Sequence, residues 1–251
     1  FDVYLKGAAT GSAREGVLQY YTLGEEAWKT TMIWPPEKTK TQRLFFTSGN
    51  GLDAAPPESE GVDEYTVDFS ATTGLTNRWR SQLLSEDVVY EDRAQEDTRL
   101  LTYTTPPLKT DIEITGNAIV VLQIAASTED AALHVYLEDV LPSGKAVYLT
   151  EGVLRVLHRK VDETPMYKTP GLARSFTRAK GQPLTPGEVA EIKIDLMPIS
   201  ALVRTGHRIR IAIAGADKDT FARIPAAGTP EFDVHYGASA PSYVDLPIIP
   251  R

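Results

Sequence analysis

The chain has 251 residues, enough for one large β domain or two small ones, and its 42% hydrophobic and 24% charged residues are ordinary for a globular protein. A net charge of -8 without any lysine or arginine cluster argues against nucleic acid as a partner, because such a surface does not attract a phosphate backbone. No run of 18 apolar residues is present to cross a membrane and no signal peptide is visible, while the lack of cysteine removes disulfides, thiolate nucleophiles and cysteine-ligated zinc; a soluble protein is expected, cytoplasmic or secreted.

FDVYLKG (1–7) mixes aromatic and aliphatic residues and stops at Gly7, which reads as the end of a helix or as a loose tail. Residues 8–111 are irregular. Strands are expected at 16–24 (GVLQYYTLG), 43–49 (RLFFTSG) and 63–69 (DEYTVDF), between spacers rich in Pro and Gly. The charged DVVYEDRAQEDTR (87–99) reads as a solvated connector. The second half is more regular. DIEITGNAIVVLQIAAS (111–127) reads as two strand segments around Gly116 and Asn117. ALHVYLEDV (132–140) alternates, with Leu133, Val135 and Leu137 on one face; LPSGK makes a turn, and AVYLTEGVLRVLHR (146–159) follows as a strand with a central glycine. EVAEIKIDLMPI (188–199) points Ile192, Ile194 and Leu196 inward, HRIRIAIAGA (207–216) does the same with Ile209, Ile211 and Ile213, and FDVHYG and SYVDLPII finish the chain. Period-two alternation implies a sheet with one buried and one wet face. Many such strands, without βαβ spacing, predict an all-β fold, a two-sheet antiparallel sandwich.

Little in this pattern points to chemistry. His134, His158, His207 and His235 lack the HExxH spacing of a helical zinc site and read as structural or surface histidines. GASAP (237–241) is the nearest approach to the GxSxG elbow of a serine hydrolase, but the pattern is incomplete and no histidine follows it, so Ser239 reads as a turn residue. The adjacent acids Glu86–Asp87, Glu129–Asp130 and Glu138–Asp139 read as solvated faces. ADKDTF (216–221) lacks the ligand series of a calcium loop and reads as solvent-facing. Trp28, Trp34 and Trp79 lie in the irregular half; a sugar-binding sandwich would use them as an exposed platform, but packing under long loops is the expected role of so large an apolar surface. No catalytic, cofactor-binding or metal-ligating residue is assigned, and no cofactor is expected.

Several separated stretches nevertheless form a series. FDVYLKG is followed by Thr10–Gly11. YYTLGEEAWKTTMIWPP carries Gly24, Trp28, Trp34, Pro35 and Pro36. LLTYTTPPLKTDIEITG carries Tyr103, Thr105, Pro107, Leu108 and Gly116. ALHVYLEDVLPSGKAVYLTEGVLRV carries Leu137, Asp139, Val140, Pro142, Gly144, Gly152, Leu154 and Arg155, and TGHRIRIAIAGADKDTFARIP and PSYVDLPII close the series. In this order they resemble the C-terminal portion of the family of cocaine esterase, α-amino-acid ester hydrolases and Xaa-Pro dipeptidyl-peptidases. Leu23 stands where that family often has methionine and Ala132 where it often has aspartate, while Glu138 intervenes before Asp139 without altering the Asp-Val pair. The resemblance implies a jelly-roll-like, galactose-binding-domain-like β-sandwich over residues 16–251, with residues 1–15 as a remnant of, or linker from, an α/β-hydrolase domain. It implies that the family's catalytic serine, aspartate and histidine lie before residue 1, that this chain alone is inactive, and that its partner is the hydrolase domain, with a second copy of the chain as a further candidate. A stand-alone carbohydrate-binding sandwich is the alternative. Three structural expectations follow: residues 1–6 are helical or otherwise packed and not a β strand, one side of the domain exposes an apolar patch, and Arg155 either faces solvent or pairs with Asp139 across the LPSGK hairpin.

Overall fold

The structure is a computed structural model that describes residues 2–8, 16–84 and 87–251; Phe1, Thr10, Gly11 and Glu86 lie outside the described residues. Helix α1 (Asp2–Lys6) ends at Gly7. Gly7 takes a φ of 66°, and its N–H donates to the Val3 carbonyl (3.1 Å) while the Ala8 N–H donates to that of Asp2 (2.9 Å). These two bonds satisfy carbonyls that a helix end leaves free, and the left-handed turn they require favours glycine. The opening segment is thus helical over Asp2–Lys6.

Strands β1 (Leu18–Thr22) and β2 (Ala27–Thr31) form a ribbon of their own. The other strands are β3 (Lys40–Thr47), β4 (Gly51–Asp53), β5 (Gly61–Thr66), β6 (Leu101–Thr104), β7 (Ile112–Gly116), β8 (Ile119–Ala126), β9 (Ala132–Val140), β10 (Ala146–Arg155), β11 (Ala190–Asp195), β12 (Ile199–Val203), β13 (Arg208–Ala214), β14 (Glu231–Tyr236) and β15 (Tyr243–Ile249). A short helix α2 (Arg78–Leu84) lies between β5 and β6. The main sheet runs β10-β9-β13-β6-β4-β3-β15-β8-β14-β5, with β11 beside β8 and β7 between β12 and β15. Its pairings are antiparallel except for one parallel contact, Gly51 opposite Thr104. That contact, through the three-residue β4, links the two halves of the sandwich.

Alternation explains how the halves meet. Leu133, Val135 and Leu137 of β9 and Ile209, Ile211 and Ile213 of β13 enter the same buried cluster as Leu122 and Ile124 of β8, Phe232 and Val234 of β14, and Val244 and Leu246 of β15. Each such side chain contributes about 1.5–3 kcal/mol on burial. The all-β antiparallel sandwich expected from the sequence is therefore the fold, and β9 occupies the same residues as its predicted strand. Strands β2, β4, β6 and β12 were not foreseen. AWKTT runs into a proline-rich spacer, β4 is too short to show a period, and ISALV is buried at every position and so does not alternate.

One face is not wet as alternation predicts. His134, Tyr136 and Glu138 of β9 point away from the core, as do Ala212 and Ala214 of β13, yet all five are buried. The cover comes from Trp79, from Phe221 and from Tyr90, Arg93 and Asp97 of the charged 87–99 stretch. That stretch is not a solvated connector: Arg93 and Asp97 are both buried in it. Asp217 of the ADKDTF loop is buried as well and accepts a hydrogen bond from the Thr73 hydroxyl, so this part of the loop does not face solvent.

The Arg155–Asp139 pair does not form. The hairpin register sets Ala146 opposite Val140, which leaves Asp139 beside the turn and puts Arg155 at the far end, opposite Ala132. Arg155 instead pairs with Asp130 (2.6 Å), and Asp139 accepts from His207 Nδ1 (2.8 Å). Because the Arg155–Asp130 pair is partly solvated, Arg155→Ala is expected to cost no more than about 1 kcal/mol in urea unfolding, with no coupling to Asp139→Ala. Gly152 is a harder constraint. β10 crosses the end of β11 there, and a Cβ on Gly152 would lie 2.5 Å from the Asp195 carbonyl oxygen and 2.8 Å from Ile194 Cγ2. Gly152→Val is expected to destabilise by about 1–3 kcal/mol or more, read in the same melts; an unchanged midpoint would show that the crossing can open without cost.

Candidate functional site

The chemically richest region is the polar layer on the outer face of β9, β10 and β13. On β9 the residues between the core-facing leucines and valine are His134, Tyr136 and Glu138. The register sets Ala214 beside His134 and Ala212 beside Tyr136, and these small side chains leave room for the larger ones. Arg93 Nε donates to Glu138 Oε1 at 2.7 Å, and the guanidinium lies 4.4 Å from the centre of the Tyr136 ring, a cation–π contact. Arg210 Nη1 donates to Asp97 Oδ2 at 2.6 Å. Tyr90 stacks on Tyr148 with ring centres 3.7 Å apart. At the other end the Trp79 ring meets Phe221 edge-on, and Phe221 meets His134 in the same way at 5.0 Å. The backbone joins in, as the Arg93 N–H donates to the Ala146 carbonyl and Asp92 accepts from the Ala146 N–H.

Burial sets the protonation behaviour of this layer. It is the main force pushing the Glu138 carboxyl up to about 8, reinforced by the neighbouring Asp97 carboxylate and opposed by Arg93. Burial also raises the carboxyls of Glu151 and Asp217 and lowers His134 to about 4. His134 is therefore a neutral imidazole, and neither ring nitrogen has a hydrogen-bond partner among the described residues. No signal in the sequence set Glu138 apart from Asp139, because the strand has the same alternation whether or not its outer face is covered.

The residues considered for chemistry lie apart. Ser239 sits in a turn where its N–H donates to the Glu60 carboxylate (3.0 Å). His158 packs against Phe176, His207 is bound to Asp139, and the His235 carbonyl accepts from Ser242. Among the described residues no serine or threonine hydroxyl bonds an imidazole, and no group of three His, Asp or Glu side chains could hold a metal ion. No helix is long and apolar enough to cross a membrane. Of the tryptophans, Trp28 is exposed, not packed under loops, while Trp34 and Trp79 are half-buried.

Comparison with known proteins gives this arrangement its context. Residues 10–245 match the family described as the X-Pro dipeptidyl-peptidase C-terminal non-catalytic domain. The chain belongs to that family. It is 43% identical over 251 residues to a Mycobacterium bovis protein provisionally named a serine esterase, covering 99% of this chain and 40% of that protein. It is 23% identical to the cocaine esterase of a Rhodococcus species, covering all of this chain and 45% of the esterase. Among solved structures, an aminopeptidase from a Thaumarchaeota archaeon superposes with a TM-score of 0.76 at 22% identity, over 99% of this chain and 43% of the other. An α-amino acid ester hydrolase does so with a TM-score of 0.73 at 20% identity, over 92% and 40% respectively. The chain thus spans less than half the length of these relatives.

The polar layer carries two expected outcomes. Arg93→Ala removes the cation that the buried Glu138 carboxyl meets; Glu138 then holds a proton at neutral pH, and loss of the charge-assisted hydrogen bond is expected to cost about 1.5–3 kcal/mol in urea unfolding. The pH dependence follows from the raised carboxyls. A carboxyl held above its unfolded value stabilises the fold below that value and loses the contribution as pH rises through the folded one. These carboxyls make stability fall between about pH 4.5 and 8, offset below about pH 6.5 by His134, whose lowered value acts in the opposite sense; Glu138→Gln should therefore show a flatter profile between about pH 6.5 and 8, and a Glu138→Gln profile parallel to that of the wild type contradicts the assignment.

Proposed function

We propose that this chain is the C-terminal β-sandwich of a serine hydrolase, that it braces the α/β-hydrolase domain of the same polypeptide, and that it forms part of the wall of that domain's pocket. One observation carries the reading: the family match spans nearly the whole chain, yet the chain spans only 40% of its mycobacterial relative, whose remaining length has room for a catalytic domain. Residues 1–15 are then the end of the hydrolase domain and its linker, and residues 16–251 the sandwich. The helical α1, closed by Gly7, agrees with that division.

The reaction of the whole protein is acyl transfer to water through a Ser-His-Asp triad outside this chain. The relatives' names divide between esterases and peptidases, and ester and Xaa-Pro amide hydrolysis share this chemistry. Which bond is cut depends on the acyl pocket of the hydrolase domain. The disposition of this chain's own side chains supports a bracing role. His134 is sealed and neutral, His207 is committed to Asp139, and Ser239 lies in a capped turn.

The full-length protein, treated with a fluorophosphonate probe and mapped by mass spectrometry, is expected to carry the label on a serine outside residues 1–251. Hydrolysis of p-nitrophenyl acetate or glycyl-prolyl-p-nitroanilide should survive Ser239→Ala. Label on a residue of this chain, or loss of turnover in Ser239→Ala with the fold intact, would overturn the reading.

A further inference from the structure

The β1–β2 ribbon is mounted on the sandwich far more firmly than its size explains. A two-stranded ribbon is marginal by itself, and this one is held through its inner face. Lys29 Nζ lies 2.8 Å from Glu113 and 2.5 Å from Glu25, and Arg251 donates to the same two carboxylates. Glu113, on β7, is buried. The hydroxyls of Thr22, Ser200 and Thr115 form a buried chain with spacings of 2.9 and 2.8 Å. The Leu23 N–H donates to the Ser200 carbonyl, and the Leu202 N–H donates to that of Leu23. The turn is fitted just as closely. Gly24 has a φ of 75°, and a Cβ there would meet the Leu202 carbonyl at 2.5 Å.

Among the described residues the outer face has no such partners. Tyr21 and Trp28 stand opposite each other in the register and meet edge-to-face at 5.4 Å. The Tyr21 hydroxyl donates to Glu26, whose carboxylate also receives the Gly24 N–H, so the aromatic pair is held in place. Even so, Trp28 is 72% exposed and Met32 65%, and Leu23 and Ile33 are exposed near them, as is Leu18 on the opposite side of β1. A groove of about 620 Å³ opens at the edge of the ribbon, between it and the sandwich, lined by Leu23, Tyr20, Trp34, Pro170, Pro198 and Ile199. A rigid aromatic anchor with aliphatic neighbours and an apolar groove is the composition of a protein interface core, whose centre is depleted of charge. A sugar platform is ringed by free planar polar groups; on this face of the ribbon the described residues supply Gln19 and Glu26, and the Glu26 carboxylate is already engaged by Tyr21 and Gly24.

We infer that the outer face of the ribbon and its groove are the seat of the hydrolase domain of the same polypeptide; this rests on the reading above and assigns the surface it leaves open. Two observations select this occupant. The relatives carry more than half of their length outside the matched region. Lys6 and Leu18 are separated by about a dozen residues, so a domain joined at α1 lies within roughly 40 Å of the ribbon along the chain.

The test uses the natural full-length protein. Hydroxyl-radical footprinting at Trp28 and Met32 is compared with the same protein unfolded in guanidinium, alongside the fluorophosphonate label. The seated face predicts that both side chains are protected by about fivefold or more, independent of protein concentration and of added oligosaccharide, and that Trp28→Glu restores labelling at Met32. Weaker protection would match the exposure seen in the isolated chain and would overturn the assignment. So would protection that disappears on dilution, which marks a second copy, or that appears only with oligosaccharide, which marks a sugar platform. Failure of the fluorophosphonate label with protection intact overturns the hydrolase reading instead, so the two claims fall separately.

Discussion

A carboxyl group at the centre of a sheet has to be met by a cation or by a proton, and the fold is organised around that requirement. Glu138 sits on β9 with no exposed surface, between β10 and β13. Water cannot reach it, so its charge depends on Arg93. Arg93 belongs to a segment with little hydrophobic reason to lie on a sheet, since 87–99 is strongly charged and only sparsely apolar. The ion pair, the stacking of Tyr90 on Tyr148 and the Arg210–Asp97 contact bring that segment down together. Once it is in place, Tyr136 and His134 are covered, and the strands β9 and β13 are buried on both faces. A buried pair of this kind adds little net stability compared with an apolar replacement, but losing one partner is expensive. It therefore specifies where the covering segment lies more than it strengthens the domain.

The same device recurs at the other end of the molecule. Glu113 is a second buried acid near a sheet edge, and it gathers Lys29 of the ribbon and Arg251 at the far end of the sequence. In both places a carboxylate on a regular strand fixes the position of a segment that is not part of the main sheet. The outcomes differ. The covering segment closes one face of the sheet, while the ribbon is held with its aromatic side facing outward. With His134 sealed and His207 engaged by Asp139, the domain spends these side chains on placement, in keeping with the non-catalytic family it belongs to.

Much of this was legible in the residues. The strands β9, β11 and β13 announce themselves by alternation, and Ile192, Ile194, Ile209, Ile211 and Ile213 lie in the core where that alternation places them. The helical start at Asp2–Lys6 is marked by Gly7. The family resemblance rested on short motifs kept in order, and the comparison with known proteins bears it out. The motif residues turn out to have structural reasons: Gly152 allows two strands to cross, Gly24 fits against Leu202, and Asp139 binds His207.

What the residues alone determined is the all-β class, the core-facing side of each regular strand and the membership of a family, because these depend on local period and local spacing. What only the tertiary structure decided is everything that depends on which distant segments meet. Glu138 and Asp139 are neighbours in sequence, yet one is sealed with Arg93 and the other is tied to His207. Arg155 met Asp130 and not Asp139 because hairpin register, set by the turn, fixes partners along a strand. Trp28 and Trp34 lie close together in the chain, but Trp28 stands on the outer face of the ribbon and is exposed, while Trp34, beyond the end of β2, packs edge-on to Tyr20 and is half-buried. Alternation tells which residues share a side of a strand; whether that side meets water or another segment depends on long-range contacts, and these carry no local period.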